Sequence, residues 1–207
     1  MIILSDNDII YKLAACDLLD EALVVLGVTP TDVYVLPTAK YKFGITKSPA
    51  RTEAQYGSTV VTRIRNFLTQ VHELDVVGST EELRLLAEAD GIDAGEAVLF
   101  SATVLFDHYL LATGDKNSLR AVASTPVSQP IAHRLSGHVI CLEQIAMHII
   151  EHFGFMYAKN KIVPARSCDT ALRVAFGSGD AATELNVLAA LDGYINELRS
   201  LAVDVLI

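Results

Sequence analysis

MIILSDND, at residues 1–8, is a short apolar run that ends abruptly in polar residues. Such a run is typical of a fully buried strand of a parallel sheet, closed by a turn. Apolar positions then recur at helical spacing from residue 9 to residue 26, and Gly27 stands where a left-handed helix cap is expected. This start predicts a strand followed by a helix, the repeating unit of an α/β fold.

The same alternation continues through the middle of the chain. We predict three further strands, at residues 32–36, 108–112 and 137–142. The predicted helices cover residues 52–68, 80–89, 93–106, 116–123 and 143–153. Strands that alternate with helices of this length favour right-handed crossovers and a parallel sheet. The predicted fold is therefore a three-layer α/β domain over residues 1–153, with helices on both faces of the sheet.

Residues 154–207 do not continue the alternation of strands and helices, and they are predicted to form a helical C-terminal extension. Lys159-Asn160-Lys161 predicts a polar turn, Gly177-Ser178-Gly179 predicts a break, and the apolar spacing after about residue 181 predicts a final helix. The leucines of that helix give it enough apolar surface to dock on the core or on a second subunit, which would make a homo-oligomer.

Composition narrows the classes of function. A chain of 207 residues with 51% hydrophobic content and a formal charge of −9 does not coat nucleic acid or anionic membrane with its whole surface. Its three cysteines are far apart in sequence and show no CxxC pair, so neither a disulfide framework nor a cysteine zinc site is indicated. No signal peptide or transmembrane run is found, and we expect a cytoplasmic protein with no membrane partner.

Acidic residues stand where the predicted strands end. Asp6 and Asp8 follow the first strand, Asp115 follows the strand at 108–112, and Glu96 begins a helix. Since parallel strands end at one edge of a sheet, these carboxylates are candidate ligands for Mg²⁺ or Mn²⁺, which prefer oxygen donors. Two simpler interpretations stay open: Asp8 pairs with Lys12 one turn on, and Glu96 completes a capping box with Asp93.

Three stretches resemble the PIN domains, a family of metal-dependent ribonucleases that includes many toxins of bacterial and archaeal toxin–antitoxin pairs. They read IILSDND at residues 2–8, DAGEA at 93–97 and LLATGDK at 110–116. The resemblance covers roughly residues 1–150. It implies that Asp6, Glu96 and Asp115 are catalytic acids that bind the metal, assisted by Asp8. The supporting residues that it implies around the last acid are Thr113, Lys116 and Asn117.

The chain departs from the family pattern at two places. PIN domains generally carry a glutamate shortly after the second strand, where this chain has Lys42, and many carry a further aspartate where it has Asn117 and Ser118. The alternative to a nuclease is therefore a catalytically lapsed PIN-like module that binds RNA or a protein partner, such as an antitoxin.

A basic stretch follows the second strand. Residues 40–65 hold six basic residues and one acid, against 10 basic and 24 acidic residues in the remainder. We predict that this stretch contacts the backbone of single-stranded RNA, with its interleaved aromatic rings stacking on bases. The residues concerned are Lys40, Lys42, Lys47 and Arg51, with the rings of Tyr41, Phe43 and Tyr56. The alternative is a solvated loop.

One further motif has a simple explanation. Residues 148–152 read HIIEH, which matches the HxxEH pattern of inverted zinc proteases. A zinc protease needs a distant third ligand, for which only Glu184 or Glu197 offers itself without supporting context. We interpret these residues as the polar face of a helix.

Overall fold

A computed structural model describes residues 1–44, 49–75, 78–124, 128–202 and 205–207. It contains one sheet of five short parallel strands in the order β3-β2-β1-β4-β5. The strands are β1 (Ile2–Ser5), β2 (Val33–Val35), β3 (His72–Glu73), β4 (Tyr109–Ala112) and β5 (Val139–Ile140). The predicted α/β class and parallel sheet are confirmed. The strand β3 was not predicted, because its two residues are exposed and belong to no apolar run.

Helices cover both faces of the sheet. Those that precede β3 are α1 (Asn7–Ala15), α2 (Leu19–Leu26), α3 (Ala39–Lys42), α4 (Pro49–Tyr56) and α5 (Ser58–Leu68). Between β3 and β5 lie α6 (Thr80–Ala87), α7 (Ala94–Ala102), α8 (Lys116–Ser124) and α9 (Gln129–Leu135). The chain continues with α10 (Leu142–Phe153), α11 (Phe155–Ala165), α12 (Thr170–Ala175) and α13 (Glu184–Leu201).

Alternate residues of the central strands β1 and β4 belong to two separate hydrophobic cores. Ile3 and Leu110 point to the core formed with α1, α2, α5 and α10, whereas Leu4 and Leu111 point to the core formed with α6, α7, α8 and α9. This alternation follows from the two-residue period of an extended strand. Both faces are apolar because both are covered, which is the three-layer arrangement that the sequence predicts.

Two predicted long helices are each broken in the structure. The segment from residue 9 to residue 26 divides at Asp17, which adopts a left-handed φ of 57° between α1 and α2. The segment from residue 52 to residue 68 divides at Gly57, with φ 84°, between α4 and α5. Apolar residues keep their helical spacing across both breaks. Periodicity alone therefore predicts one continuous helix in each segment. The cap predicted at Gly27 is confirmed, with φ 66°.

The C-terminal helices pack on the rest of the chain. Val187 and Leu191 of α13 belong to the first core, and Ile195 and Leu198 belong to the second. This helix therefore contacts both cores. The segment after α13 pairs with the edge of β5 through a parallel bridge between Val139 and Leu206. Docking on the chain's own core, one of the two predicted alternatives, is therefore confirmed. The domain boundary at residue 153 stays a prediction.

The polar turn predicted at Lys159-Asn160-Lys161 is wrong, because these residues lie inside α11. Lysine has a good helix propensity, and Lys159 bends its ammonium group onto the carbonyl oxygens of Asp180 and Ala182. The break at Gly177-Ser178-Gly179 is confirmed between α12 and α13. Among the described residues, none of the helices is both long and apolar enough to cross a bilayer.

Candidate functional site

The strand order reverses between β1 and β4. From β1 the chain proceeds to β2 and β3 on one side, and it then crosses to β4 and β5 on the other. In open parallel sheets, a crevice forms beyond the carboxyl ends of the two strands at such a reversal, and ligands bind there. The residues that directly follow β1 and β4 therefore have the best position in the fold for a functional role.

Asp6 lies at this crevice. Its backbone N–H donates to the carbonyl oxygen of Ala112 at 3.0 Å and extends the pairing of β1 with β4 by one residue. Asp6 also precedes α1 in an extended conformation, with ψ 147°, and its side chain makes no capping hydrogen bond. The carboxylate of Asp6 is thus held at the strand end without being used to cap the helix.

Asp115 reaches the same crevice from β4. Thr113 is 1% exposed, and its backbone N–H donates to Ile140. The Thr113 hydroxyl accepts from the backbone N–H of Asp115 at 3.3 Å. Oδ1 of Asp115 accepts from the backbone N–H groups of Asn117 and Ser118, at 2.8 and 2.9 Å, and caps α8. Thr113 therefore contacts the backbone at the strand end, and Asp115 combines a capping role with its place at the crevice.

Glu96 sits in a complete capping box at the start of α7. Oδ1 of Asp93 accepts from the backbone N–H groups of Gly95 and Glu96, and Oε2 of Glu96 accepts from the backbone N–H of Asp93 at 3.2 Å. The capping interpretation of Glu96 is therefore confirmed. Glu96 is nevertheless only 5% exposed, which is unusual for a carboxylate that serves only as a cap.

The acids act on one another electrostatically. Burial raises the pKa of Glu96 to about 8, with further contributions from Asp93, Asp115 and Asp6 in that order. Burial also raises the pKa of Asp6, and Asp8 adds to this effect. Because such interactions weaken with distance, these contributions indicate that Asp6 and Asp115 lie near Glu96. Like charges that are gathered in a buried crevice favour either a proton or a bound cation.

A cation from the chain itself lies beside this group. Lys42 belongs to α3, the short helix after β2, and its Nζ is 4.0 Å from Oδ1 of Asp8. Its ammonium group opposes the burial that raises the pKa of Asp6, and it contributes to the lowered pKa of Asp93. The position at which the PIN resemblance calls for a glutamate thus delivers a positive charge to the carboxylates.

Asp8 takes part in an ion pair one turn along α1. Oδ2 of Asp8 lies 2.9 Å from Nζ of Lys12, and the same ammonium lies 2.9 Å from Oδ2 of Asp169. The predicted pairing of Asp8 with Lys12 is therefore confirmed. Asp8 keeps a half-exposed carboxylate whose other oxygen faces Lys42.

Asn7, next to Asp6 in sequence, is a buried polar residue outside the set of predicted site residues. It is 5% exposed, and its Nδ2 donates to the hydroxyl of Thr38 at 3.3 Å. Its Oδ1 is buried and, among the residues that the structure describes, has no hydrogen-bond donor. An amide oxygen is a common ligand of hard divalent cations. The only signal in the sequence is its position inside the polar turn that ends the first strand.

The remaining supporting residues lie outside the crevice. Lys116 turns toward α13, where its Nζ is 2.9 Å from Oε2 of Glu197 and 4.7 Å from the ring centre of Tyr194. Asn117 is exposed and contributes its backbone N–H to Asp115. Neither side chain is shown to assist the acids directly.

The basic stretch is largely neutralised by ion pairs. Lys40 lies 2.9 Å from Glu73, Arg63 lies 2.8 Å from Asp17, and Arg65 lies 3.1 Å from Glu53. Arg51 is exposed on α4 and makes no ion pair with any residue that the structure describes. Lys47 lies outside the described residues. Arg51 is therefore the described member of the stretch whose charge is most available to a ligand, and Lys42, 4.0 Å from Asp8, is the most weakly paired of the others.

The prediction of interleaved stacking rings is wrong for two of three aromatic residues. Phe43 is fully buried, and Tyr56 packs against Tyr11 with ring centres 4.9 Å apart. Both rings belong to the first hydrophobic core or its border. Tyr41 is 60% exposed and could still stack on a base. The spacing of these aromatic residues does not show that two of their rings pack in or against the core.

The zinc-protease pattern at 148–152 is not assembled into a site. Nδ1 of His148 lies 3.8 Å from Oε2 of Glu151, whereas His152 packs edge-on against Phe153. Across the five described ranges of the chain, no group of three or more His, Cys, Asp or Glu side chains is placed to hold a metal ion.

The fold and the site define a class: a three-layer α/β protein with an acidic crevice at the reversal of its strand order. Comparison of the chain with protein-family models, with curated proteins and with solved structures found no match. The crevice itself is therefore the feature of the chain that indicates a function.

Proposed function

We propose that this chain is a PIN-like nuclease that uses Mg²⁺ or Mn²⁺ to hydrolyse phosphodiester bonds in single-stranded RNA. One observation carries the proposal. Asp6 and Asp115 follow the two strands at the reversal of strand order, and the buried carboxyl group of Glu96 is repelled by both. A group of carboxylates at this position is the usual arrangement for a metal-dependent phosphoryl site.

The donors fit a hard divalent cation in chemistry. Asp6, Glu96 and Asp115 would hold the ion, Asp8 would assist, and the partnerless amide oxygen of Asn7 is a further oxygen donor. When bound, such an ion lowers the pKa of a water molecule and neutralises charge that develops on the phosphate. Oε2 of Glu96 accepts from the Asp93 backbone, so Oε1 is the oxygen that would be offered to the ion.

The chain's own residues would prepare the site. The backbone bond from Asp6 to Ala112 fixes one carboxylate at the strand end, and the cap of α8 fixes Asp115 by Oδ1 alone. Glu96 keeps its proton at neutral pH until a cation takes the place of that proton. Lys42 and Arg51 would hold the RNA backbone, with Lys40 and Lys47 extending the contact.

Cleavage of an unstructured RNA in the presence of Mn²⁺ tests this function. The wild type should cleave with Mn²⁺ and stop when the ion is chelated. Asp6→Asn and Asp115→Asn should each reduce the rate by at least about a hundredfold, because each removes a charge needed in the transition state. Asp20→Asn, on an exposed acid of α2, is the matched control and should cleave normally. Cleavage that survives both site substitutions would refute the assignment.

A catalytically lapsed PIN-like module is the second candidate, favoured by the position of Lys42. An ammonium group among the acids supplies part of the positive charge that a metal would bring. Such a module would bind single-stranded RNA, or a protein partner such as an antitoxin, in the cytoplasm. It would bind RNA equally well with and without Mn²⁺ and leave the RNA intact, whereas the nuclease would cleave it.

A further inference from the structure

Two cysteines that are 152 residues apart in sequence meet in the structure. Sγ of Cys16 lies 4.0 Å from Sγ of Cys168. Cys16 ends α1 at the break before α2, and Cys168 ends the 3₁₀ turn Arg166–Cys168 that connects α11 to α12. Both are free thiols. A disulfide needs the sulfur atoms about 2 Å closer, which a change of side-chain rotamers can supply between groups already in contact.

The two segments are held together on either side of the thiols. Next to Cys16, the carbonyl oxygen of Asp17 accepts from Nζ of Lys161 at 2.7 Å. Next to Cys168, Oδ2 of Asp169 lies 2.9 Å from Nζ of Lys12. Each cysteine therefore has a neighbour in sequence that is bonded to the opposite segment, so the approach of the sulfur atoms is enforced by the structure around them.

The two thiols differ in access to solvent. Cys16 is 1% exposed, whereas Cys168 is half-buried. Both line an open cavity of about 520 Å³ whose rim carries the cations Arg63 and Lys161. A small reagent can therefore reach Cys168 first. A hydrogen bond from Cys16 lowers the pKa of Cys168, and the ammonium of Lys12 acts in the same direction. The bond to Cys168, together with burial, raises the pKa of Cys16.

We propose that Cys16 and Cys168 form a redox site, in which a small-molecule disulfide such as oxidised glutathione converts the two thiols reversibly into a disulfide. A solvent-accessible nucleophilic cysteine beside a resolving cysteine is the usual arrangement of such sites. This inference concerns the side of the molecule where α1 meets the C-terminal helices, and it does not depend on the proposed nuclease activity.

The chemistry is two successive thiol–disulfide exchanges. The Cys168 thiolate attacks one sulfur of oxidised glutathione, the glutathione S–S bond breaks, and one glutathione thiolate leaves and takes a proton from solvent. The Cys16 thiol then gives its proton to solvent, and its sulfur attacks Sγ of Cys168. The second glutathione leaves as a thiolate and is protonated. Two protein thiols lose two electrons and two protons, and one oxidised glutathione becomes two reduced molecules.

Peptide mapping after incubation with oxidised glutathione tests the proposal. Free thiols are blocked by alkylation, and the protein is digested with trypsin. The peptide of residues 13–40 should be found linked to the peptide of residues 167–173, and the link should disappear after reduction. Cys141 is a control within the same chain: it is 1% exposed, and burial raises its pKa to about 12, so it should be recovered as an alkylated thiol.

Single variants test the order of the two steps. Cys16→Ala should retain glutathione on Cys168 as a stable adduct, because the resolving thiol is missing. Cys168→Ala should retain less glutathione than Cys16→Ala, because Cys16 is 1% exposed and its pKa is raised. Circular dichroism establishes that each variant is folded. A folded wild type that yields no linked peptide, or a linkage of Cys141 to either cysteine at a similar yield, would overturn the proposal.

Discussion

The crevice at the end of β1 and the junction where α1 and α2 meet α11 affect the pKa values of their acids in opposite directions. At the crevice, burial and neighbouring carboxylates raise the pKa of Glu96 and of Asp6. At the junction, burial works in the same direction on Glu21, yet hydrogen bonds from Lys161 and Tyr157 bring its pKa below the ordinary value. Paired acids hold the fold together, whereas acids that repel one another indicate a site that is prepared for a ligand.

The largest effect should come from breaking the junction with Lys161→Met. Nζ of Lys161 bonds to the Asp17 carbonyl oxygen and lies 2.6 Å from Oε1 of Glu21, which is 8% exposed. Removing the cation leaves Glu21 buried without its charge partner. We expect the free energy of unfolding to fall by about 2 kcal/mol at pH 7, below the range for fully buried pairs because Lys161 is partly exposed. Urea denaturation measures it.

The pH dependence separates this explanation from a general loss of contacts. Since the pKa of Glu21 is lowered in the folded state, its contribution is present above its ordinary value of 4.5 and is lost as the pH falls through the folded pKa. The difference between wild type and Lys161→Met should therefore shrink toward pH 3. Arg84→Met, in the exposed pair with Glu88, is the control and should change stability by less than about 0.5 kcal/mol. A difference that stays constant with pH would contradict the pairing argument.

The second-largest effect should come from Lys42→Glu, which changes the charge at the crevice. This substitution replaces the ammonium group near Asp6 and Asp8 by the glutamate that the PIN resemblance expects. We expect the dissociation constant for Mn²⁺ to fall about tenfold, because the number of negative ligands sets the affinity of such sites. Isothermal titration calorimetry measures the affinity. Lys40→Glu makes the same change in net charge on a residue that pairs with Glu73. Equal gains in both variants would mean that only the overall charge matters.

The sequence predicts where the candidate site lies better than it predicts which distant residues come into contact. Asp6 and Asp115 are found because each directly follows an apolar strand, a pattern that depends on neighbours in the chain. The approach of Lys42 to the acids depends on how α3 packs after β2. The contact of Cys16 with Cys168 depends on the way α11 and α12 return to α1. Local periodicity carries no information on such distant contacts, and it also conceals the breaks at Asp17 and Gly57.

A smaller effect should follow from Glu96→Gln in the metal-free protein. Glutamine keeps the capping bond to the Asp93 backbone but cannot ionise. A carboxyl group whose pKa is raised from 4.5 to about 8 binds more protons in the folded state, so it reduces stability as the pH rises through that interval. The variant should therefore be more stable than the wild type at pH 8 and equally stable at pH 4. Thermal unfolding in the presence of a chelator measures the gain.

The effect of Glu96→Gln on Mn²⁺ binding should be opposite in sign to its effect on stability. Glu96→Gln removes one proposed charged ligand, so the affinity for Mn²⁺ should fall although the free protein is more stable. Glu88→Gln, on an exposed carboxylate of the neighbouring helical region, should change neither quantity. A variant that is less stable at pH 8 than at pH 4, relative to wild type, would show that Glu96 acts as an ordinary ionised cap.

The smallest effect concerns the basic stretch. Arg51 is exposed without an ion pair among the described residues, whereas Lys40 is already paired with Glu73. Arg51→Ala should reduce the slope of log affinity for single-stranded RNA against log salt concentration by about 0.7, the value for one phosphate contact on a single strand. Lys40→Ala should change the slope less, since the lysine must first leave its partner. Fluorescence anisotropy with a labelled oligouridine and a chelator measures both slopes without cleavage. If Lys40→Ala has the larger effect on the slope, the ion pair of Lys40 with Glu73 opens when RNA binds. Pairing within the protein then does not decide which basic residues contact RNA.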